Sequence, residues 1–128
     1  MAVEARHKAA LGEKLHMARD AISLSQRKAA KQVEISNAAL SDIENGHNFP
    51  SESLLLKLIE CYSTQDPLRS EIYAIYAEAK DAPPPDISVF IKENPCLYDL
   101  LRVLQAKEIT EENVTGIRTK VQKWRNRK

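Results

Sequence analysis

Apolar residues recur at helical spacing along most of the chain, and the pattern breaks where short helices must end. Leu11, Leu15, Ala18 and Ile22 make one stripe of a helix predicted over Lys8 to Ser23. Ser25 to Gly46 reads SQRKAAKQVEISNAALSDIENG, with no glycine or proline before its last residue. There the spacing of Ala29, Ala30, Val33, Ile35, Leu40 and Ile43 slips around Glu34-Ile35-Ser36, so the stretch divides into two helices. Ser25 caps the first, Gln26 to Val33, and Ser36 caps the second, Asn37 to Asn45. Gly46 ends the latter because glycine enters the left-handed region without a steric penalty. After the loop His47-Asn48-Phe49-Pro50, Ser51 caps a fourth helix, Glu52 to Tyr62, with Leu54, Leu55, Leu58, Ile59 and Tyr62 inward. Asp66 as cap and Pro67 at the first helical position open a fifth, to about Lys80, with Leu68, Ile72, Ile75 and Tyr76 on one side.

Ala82-Pro83-Pro84-Pro85 follows, and no helix crosses it. This predicts a short stiff linker at 81–86 between a domain at 1–80 and a helical C-terminal region at 87–128. Past the prolines the pattern predicts a turn of helix at Ile87 to Lys92, a helix opened by Asn94-Pro95 running through Ala106, and a last one opened by Thr110-Glu-Glu-Asn. The last helix has acids in its first turn and bases in its last, matching the helix dipole. Leu97, Leu100, Leu101 and Leu104 form one stripe; Ile109, Val114, Ile117, Val121 and Trp124 form another. So small a region buries too little to stand alone, and is expected to pack on the first domain or on a second copy of itself.

Composition narrows the class. The chain has 128 residues, 43% hydrophobic and 29% charged, with only three glycines, which favours an all-α globular fold. No apolar run approaches the roughly 20 residues that span a bilayer, and MAVEARHKAA lacks the apolar core of a signal peptide. The expected compartment is the cytoplasm, without membrane association. Cys61 and Cys96 sit among apolar neighbours and read as reduced, packed thiols. His7, His16 and His47 have no metal-ligand spacing, so neither metal nor cofactor is expected. An enzyme is not expected either: no nucleophile–base pair is visible, and the dipole accounts for Glu111-Glu112. Asn113-Val114-Thr115 matches a glycosylation sequon by chance. Net charge is +1, which announces no nucleic acid by itself, although residues 118–128 hold six Lys or Arg and no acid. That end is either a solvated basic helix end or a phosphate-contacting tail.

Two short helices joined by a tight turn can form a helix-turn-helix, whose second helix enters the DNA major groove with its N-terminal residues at base edges. Ala29 and Ala30 let the helices approach, Ile35 plugs the turn, and Leu40 and Ile43 anchor the second helix from beneath. Asn37, Ala38, Ser41 and Asp42 are left outward. The residues LGEKLHMARDAISLSQRKAAKQVEISNAALSDIENGHNFPSESLLLKLIECY resemble the DNA-binding domain of Cro/CI-type (xenobiotic-response-element-like) regulators, as in lambdoid phage repressors. The marks are Ser25-Gln26, Ala29-Ala30, Ile35-Ser36, Glu44-Asn45-Gly46 and Pro50-Ser51. The resemblance implies an all-α, five-helix lambda-repressor-like domain followed by a short helical region, in a bacterial or phage-encoded regulator, most often a repressor.

It also implies roles. Gln26 matches a glutamine that touches phosphate and braces the recognition helix. Asn37, Ala38 and Asp42 match base-facing positions, with Ser41 beside them and Ser36 at the turn. Asn45, His47 and Asn48 match a loop along the DNA backbone, and Arg19 and Glu44 match a pair beneath the recognition helix. The chain departs from more basic members of the family. Its recognition helix has no Lys or Arg and presents Asp42, and residues 1–63 hold eight bases and eight acids. Phosphate attraction is left chiefly to Arg27, Lys28 and Lys31. A homodimer on a palindromic double-stranded operator compensates by effective concentration. Leu97, Leu100, Leu101, Leu104, Val114, Ile117, Val121 and Trp124 are the expected dimerisation residues. FIKENPCLYDLLRVL also resembles tails of mobile-element regulators inactivated by a metallopeptidase. A regulatory protein partner (such a peptidase, an antirepressor, or the toxin of a toxin–antitoxin pair) is the alternative occupant of that tail.

Overall fold

A computed structural model describes residues 2–127. Its described residues form helices and no strand: α1 (Ala2–Ala21), α2 (Gln26–Gln32), α3 (Asn37–Glu44), α4 (Glu52–Cys61), α5 (Leu68–Lys80), α6 (Pro85–Glu93), α7 (Leu97–Gln105) and α8 (Glu111–Val121). The protein is all-α, as its hydrophobic pattern predicts.

Serine starts three of these helices by accepting the otherwise unpaired third amide of each. Ser25 Oγ accepts from Lys28 N–H at 3.2 Å, Ser36 Oγ from Ala39 N–H at 3.0 Å, and Ser51 Oγ from Leu54 N–H at 3.1 Å. The ends share another device. Ser23, Glu34, Gly46, Ser63 and Asp81 each take positive φ just past a helix. The next amide then returns to the carbonyl five residues back, as in Ile35 N–H to Ala30 O at 3.0 Å and His47 N–H to Asp42 O at 2.9 Å. Glu34, at φ 62°, is thus the physical cause of the slip between α2 and α3. Only the third of these positions is glycine, and space explains why: a Cβ on Gly46 would stand 2.9 Å from Ala9 Cα.

The chain forms two compact units, Met1–Phe90 and Ile91–Lys128. In the first, α1 packs on α3 and α5, and α2 packs on α3 and α4. Their shared core contains Leu11, Leu15, Leu40, Leu55, Leu58, Tyr62 and Ile72. Three readings change. Helix α1 begins well before Lys8, where a polar pair to α5 replaces an apolar stripe: His7 Nε2 lies 3.5 Å from Glu78 Oε1. Ile22 is 45% exposed, because α1 ends at Ala21 before the stripe completes its last turn. Pro67, not Asp66, holds the N-cap position of α5, while Asp66 Oδ1 accepts from Ser70 N–H at 3.1 Å.

The proline run also differs from an open spacer. Pro85 is the first residue of α6 and is fully buried in the first unit, so the units divide at Phe90. Proline suits this position because a first-turn amide has no intrahelical partner to lose. In the second unit, Thr110 and Asn113 form a capping box at the start of α8. Neither α7 nor α8 buries a residue: Leu100 is 53% exposed and Ile117 49%, and Trp124 just past α8 is 70% exposed. Cys96, expected to be packed, is exposed there, whereas Cys61 is half-buried and donates its thiol to Gln32 Oε1 at 3.0 Å. Burial pushes the Cys61 thiol pKa up.

Candidate nucleic-acid interface

Helices α2 and α3 meet through their smallest and most regular side chains. Ala29 and Ala30 are buried at the contact, Ile35 packs under the turn, and Leu40 and Ile43 fix the inner side of α3. The opposite face carries Asn37, Ala38 and Asp42 exposed, with Ser41 half-buried beside them. Ser41 is engaged, since its Oγ accepts from Asn45 Nδ2 at 3.2 Å. Arg27, Lys28 and Lys31 lie exposed on α2, and His47 and Asn48 are exposed in the loop after α3. Ser36 caps the N-terminal end of α3.

Beneath α3 the structure brings Arg19 and Glu44 together. Arg19 Nε donates to Glu44 Oε2 at 2.7 Å and Nη2 to Oε1 at 2.9 Å, a two-pronged pair with side chains 9% and 4% exposed. Arg19 Nη1 also donates to Leu24 O at 2.8 Å. Gln26 Nε2 donates to Glu44 Oε1 at 3.1 Å, so this glutamine braces α3 through the carboxylate. His16 Nδ1 lies 3.1 Å from the same oxygen. Burial pushes the Glu44 carboxyl upward, but hydrogen bonds from Arg19, His16 and Gln26 outweigh it and hold its pKa below the usual value. The bond to Glu44 raises Arg19 against its own desolvation.

Three features are missing from the motif residues. Gly12, buried on α1, lies under the end of α3: a Cβ there would stand 2.4 Å from Ile43 O and 2.6 Å from Glu44 O. A glycine inside an alanine-rich helix costs about 1 kcal/mol against alanine, and that unexplained cost was the available signal. The second is His16 in the Glu44 cluster. The third is the anchoring of the loop: Phe49 packs edge-on against Tyr76 with centroids 6.3 Å apart, and Tyr76 Oη donates to Pro50 O at 3.0 Å.

The model of a helix-turn-helix domain family matches residues 10–72, from within α1 to within α5. The chain carries a helix-turn-helix domain. This agrees with the Cro/CI-type resemblance, and it places α2, α3 and the Arg19–Glu44 brace inside the helix-turn-helix match. Neither the curated proteins nor the solved structures give a match. Among the described residues no three His, Cys, Asp or Glu side chains gather as a metal would need, and no helix is long and apolar enough to cross a membrane.

Proposed function

We propose that the protein is a dimeric, sequence-specific repressor of transcription, with α3 reading the major groove of a palindromic operator. The observation that carries this is the division of α3: an inner side locked by Leu40, Ile43 and Glu44, and a short, unobstructed outer side of Asn37, Ala38 and Asp42. Asparagine can hold adenine through two hydrogen bonds, and aspartate can accept from the cytosine amino group. Arg27, Lys28 and Lys31 meet phosphate, which positions the domain without reading sequence.

The second unit supplies the dimer. Its apolar residues Leu97, Leu100, Leu101, Leu104, Val114, Ile117, Val121 and Trp124 are half-buried or exposed, an arrangement that needs a cover. Helix α8 suits a second copy of itself in particular. It starts with Glu111 and Glu112 and closes with Arg118 and Lys120, so two copies laid antiparallel about a twofold axis set acid against base. Selection of binding sites from random DNA tests the reading, with two inverted half-sites as the expected result. Failure to enrich any sequence refutes it. Purification with a second, different protein in place of a second copy would favour the antitoxin alternative.

A further inference from the structure

The outer face of α3 carries no base, and Asp42 gives it a negative charge. A duplex laid against it needs its phosphates met from the edges of the helix. Arg27, Lys28 and Lys31 on α2 serve one edge. On the flank that carries Ala39 and Asp42, the surface forms a groove of about 490 Å³ whose lining includes Asn48, Phe49, Lys8 from α1 and Lys80 from α5. Two ammonium groups from distant parts of the sequence converge there on one ring. Lys80 Nζ stands 4.7 Å from the Phe49 centroid and Lys8 Nζ 5.6 Å. Lys80 Nζ also stands 5.7 Å from the Tyr76 centroid.

The ring is itself fixed by its edge contact with Tyr76 and by the Tyr76–Pro50 hydrogen bond. Contact with aromatic faces orients the two lysines but neutralises neither. Lys8 has a partial counter-charge in Glu4, 3.5 Å away and itself well exposed. Glu4 and Asp42 line the same groove, so its four charges balance and the two ammonium groups act on a phosphate by direct contact rather than through a net positive field. Side chains already held in place lose less freedom when the phosphate arrives. We propose that Lys8 and Lys80 form a phosphate clamp on the Asp42 flank of α3, which offsets the acid and holds the DNA backbone against the His47–Pro50 loop. The clamp rests on the DNA-binding reading above and adds contacts that no motif residue supplies.

The test titrates salt for full-length Lys8→Gln and Lys80→Gln on two probes, the best selected duplex and a mixed-sequence duplex. Lys57→Gln is the charge-matched control, placed on α4 beside Gln32 and Cys61 in a different groove. Each clamp variant should lower the slope of log K against log salt by about 0.9, and the affinity near 0.1 M salt by roughly five- to tenfold, equally on both probes. Lys57→Gln should leave the slope unchanged. An unchanged slope for Lys80→Gln while the parent protein binds overturns the clamp alone, as does an equal change in Lys57→Gln. A loss confined to the selected duplex overturns it too, since phosphate contacts carry no sequence. Lys80 is exposed, so this variant decides the matter even if Lys8→Gln folds poorly. A parent protein that binds neither duplex overturns the DNA-binding reading and the clamp with it.

Discussion

Glu44→Ala removes the acceptor at the centre of the polar cluster under α3. Arg19 would keep the Leu24 carbonyl at 2.8 Å and, through Nη2, His16 Nδ1 at 2.9 Å, but its Nε would lose its partner, and so would Gln26. The side chains of the pair are 9% and 4% exposed, so water cannot replace the carboxylate freely. Removing one member of a buried pair costs about 3–5 kcal/mol, against roughly 0–1 for an exposed pair. The surviving Leu24 and His16 contacts set the expectation at the low end, about 3 kcal/mol. In a domain of this size that lowers Tm by roughly 12 °C or more, read by far-UV circular dichroism at neutral pH. The sign with pH follows from the depressed carboxyl. A group whose native pKa lies below its unfolded value of 4.5 stabilises fully above that value and loses its contribution as pH falls through the native one. The gap between parent and variant should therefore hold from neutral pH down to about pH 5 and close below it. A cycle with Arg19→Met should give a coupling of about 2 kcal/mol. A Tm drop under about 3 °C, or coupling under about 0.5 kcal/mol, would refute the buried-pair argument.

Gly12→Ala should destabilise the domain by about 2 kcal/mol or more, because the atoms its Cβ meets are backbone carbonyls that cannot swing aside; a melting curve superimposable on the parent's would contradict the close contact. Asn37→Ala should cost about 1–3 kcal/mol on the selected operator and relax preference at one base position, whereas Lys28→Ala should weaken all duplexes alike. If Asn37→Ala weakened every duplex equally, α3 would not be the reader. A chain ending at Phe90 should sediment as a monomer and bind its operator far more weakly, and a truncated protein that stayed dimeric would move the interface to the first unit. The cut belongs at Phe90 because ending at Ala82 would strip the buried Pro85 from the core.

Helix positions from α2 to α4 were legible because serine caps and an interrupted apolar period act locally, within one turn. What escaped depends on contacts distant in sequence. The first turns of α1 have no apolar stripe to announce them, since they are tied to α5 by His7–Glu78. Ile22 kept the helical period but lay past a stop set by Ser23 at φ 54°, a residue with no stop-like chemistry. The prolines read as a spacer because proline breaks helices, yet Pro85 starts one. At the candidate interface, the pairing of Arg19 with Glu44 came through family resemblance; nothing local to either residue points to the other. Lys8 and Lys80 could not be associated at all before α1 and α5 were seen to flank the same loop.

The Gly12 contact separates two jobs that many binding surfaces combine. Where α3 ends on α1, main chain rests on main chain, so the height and tilt of α3 there do not depend on the identity of any side chain. The residues at positions 37, 38, 41 and 42 stand on the far side and carry little of its weight. On the proposed reading such a helix can be re-lettered without being re-hung: descendants of this chain would drift to new operators by changing those outward residues, while Gly12 stayed fixed as the bearing on which every version turns.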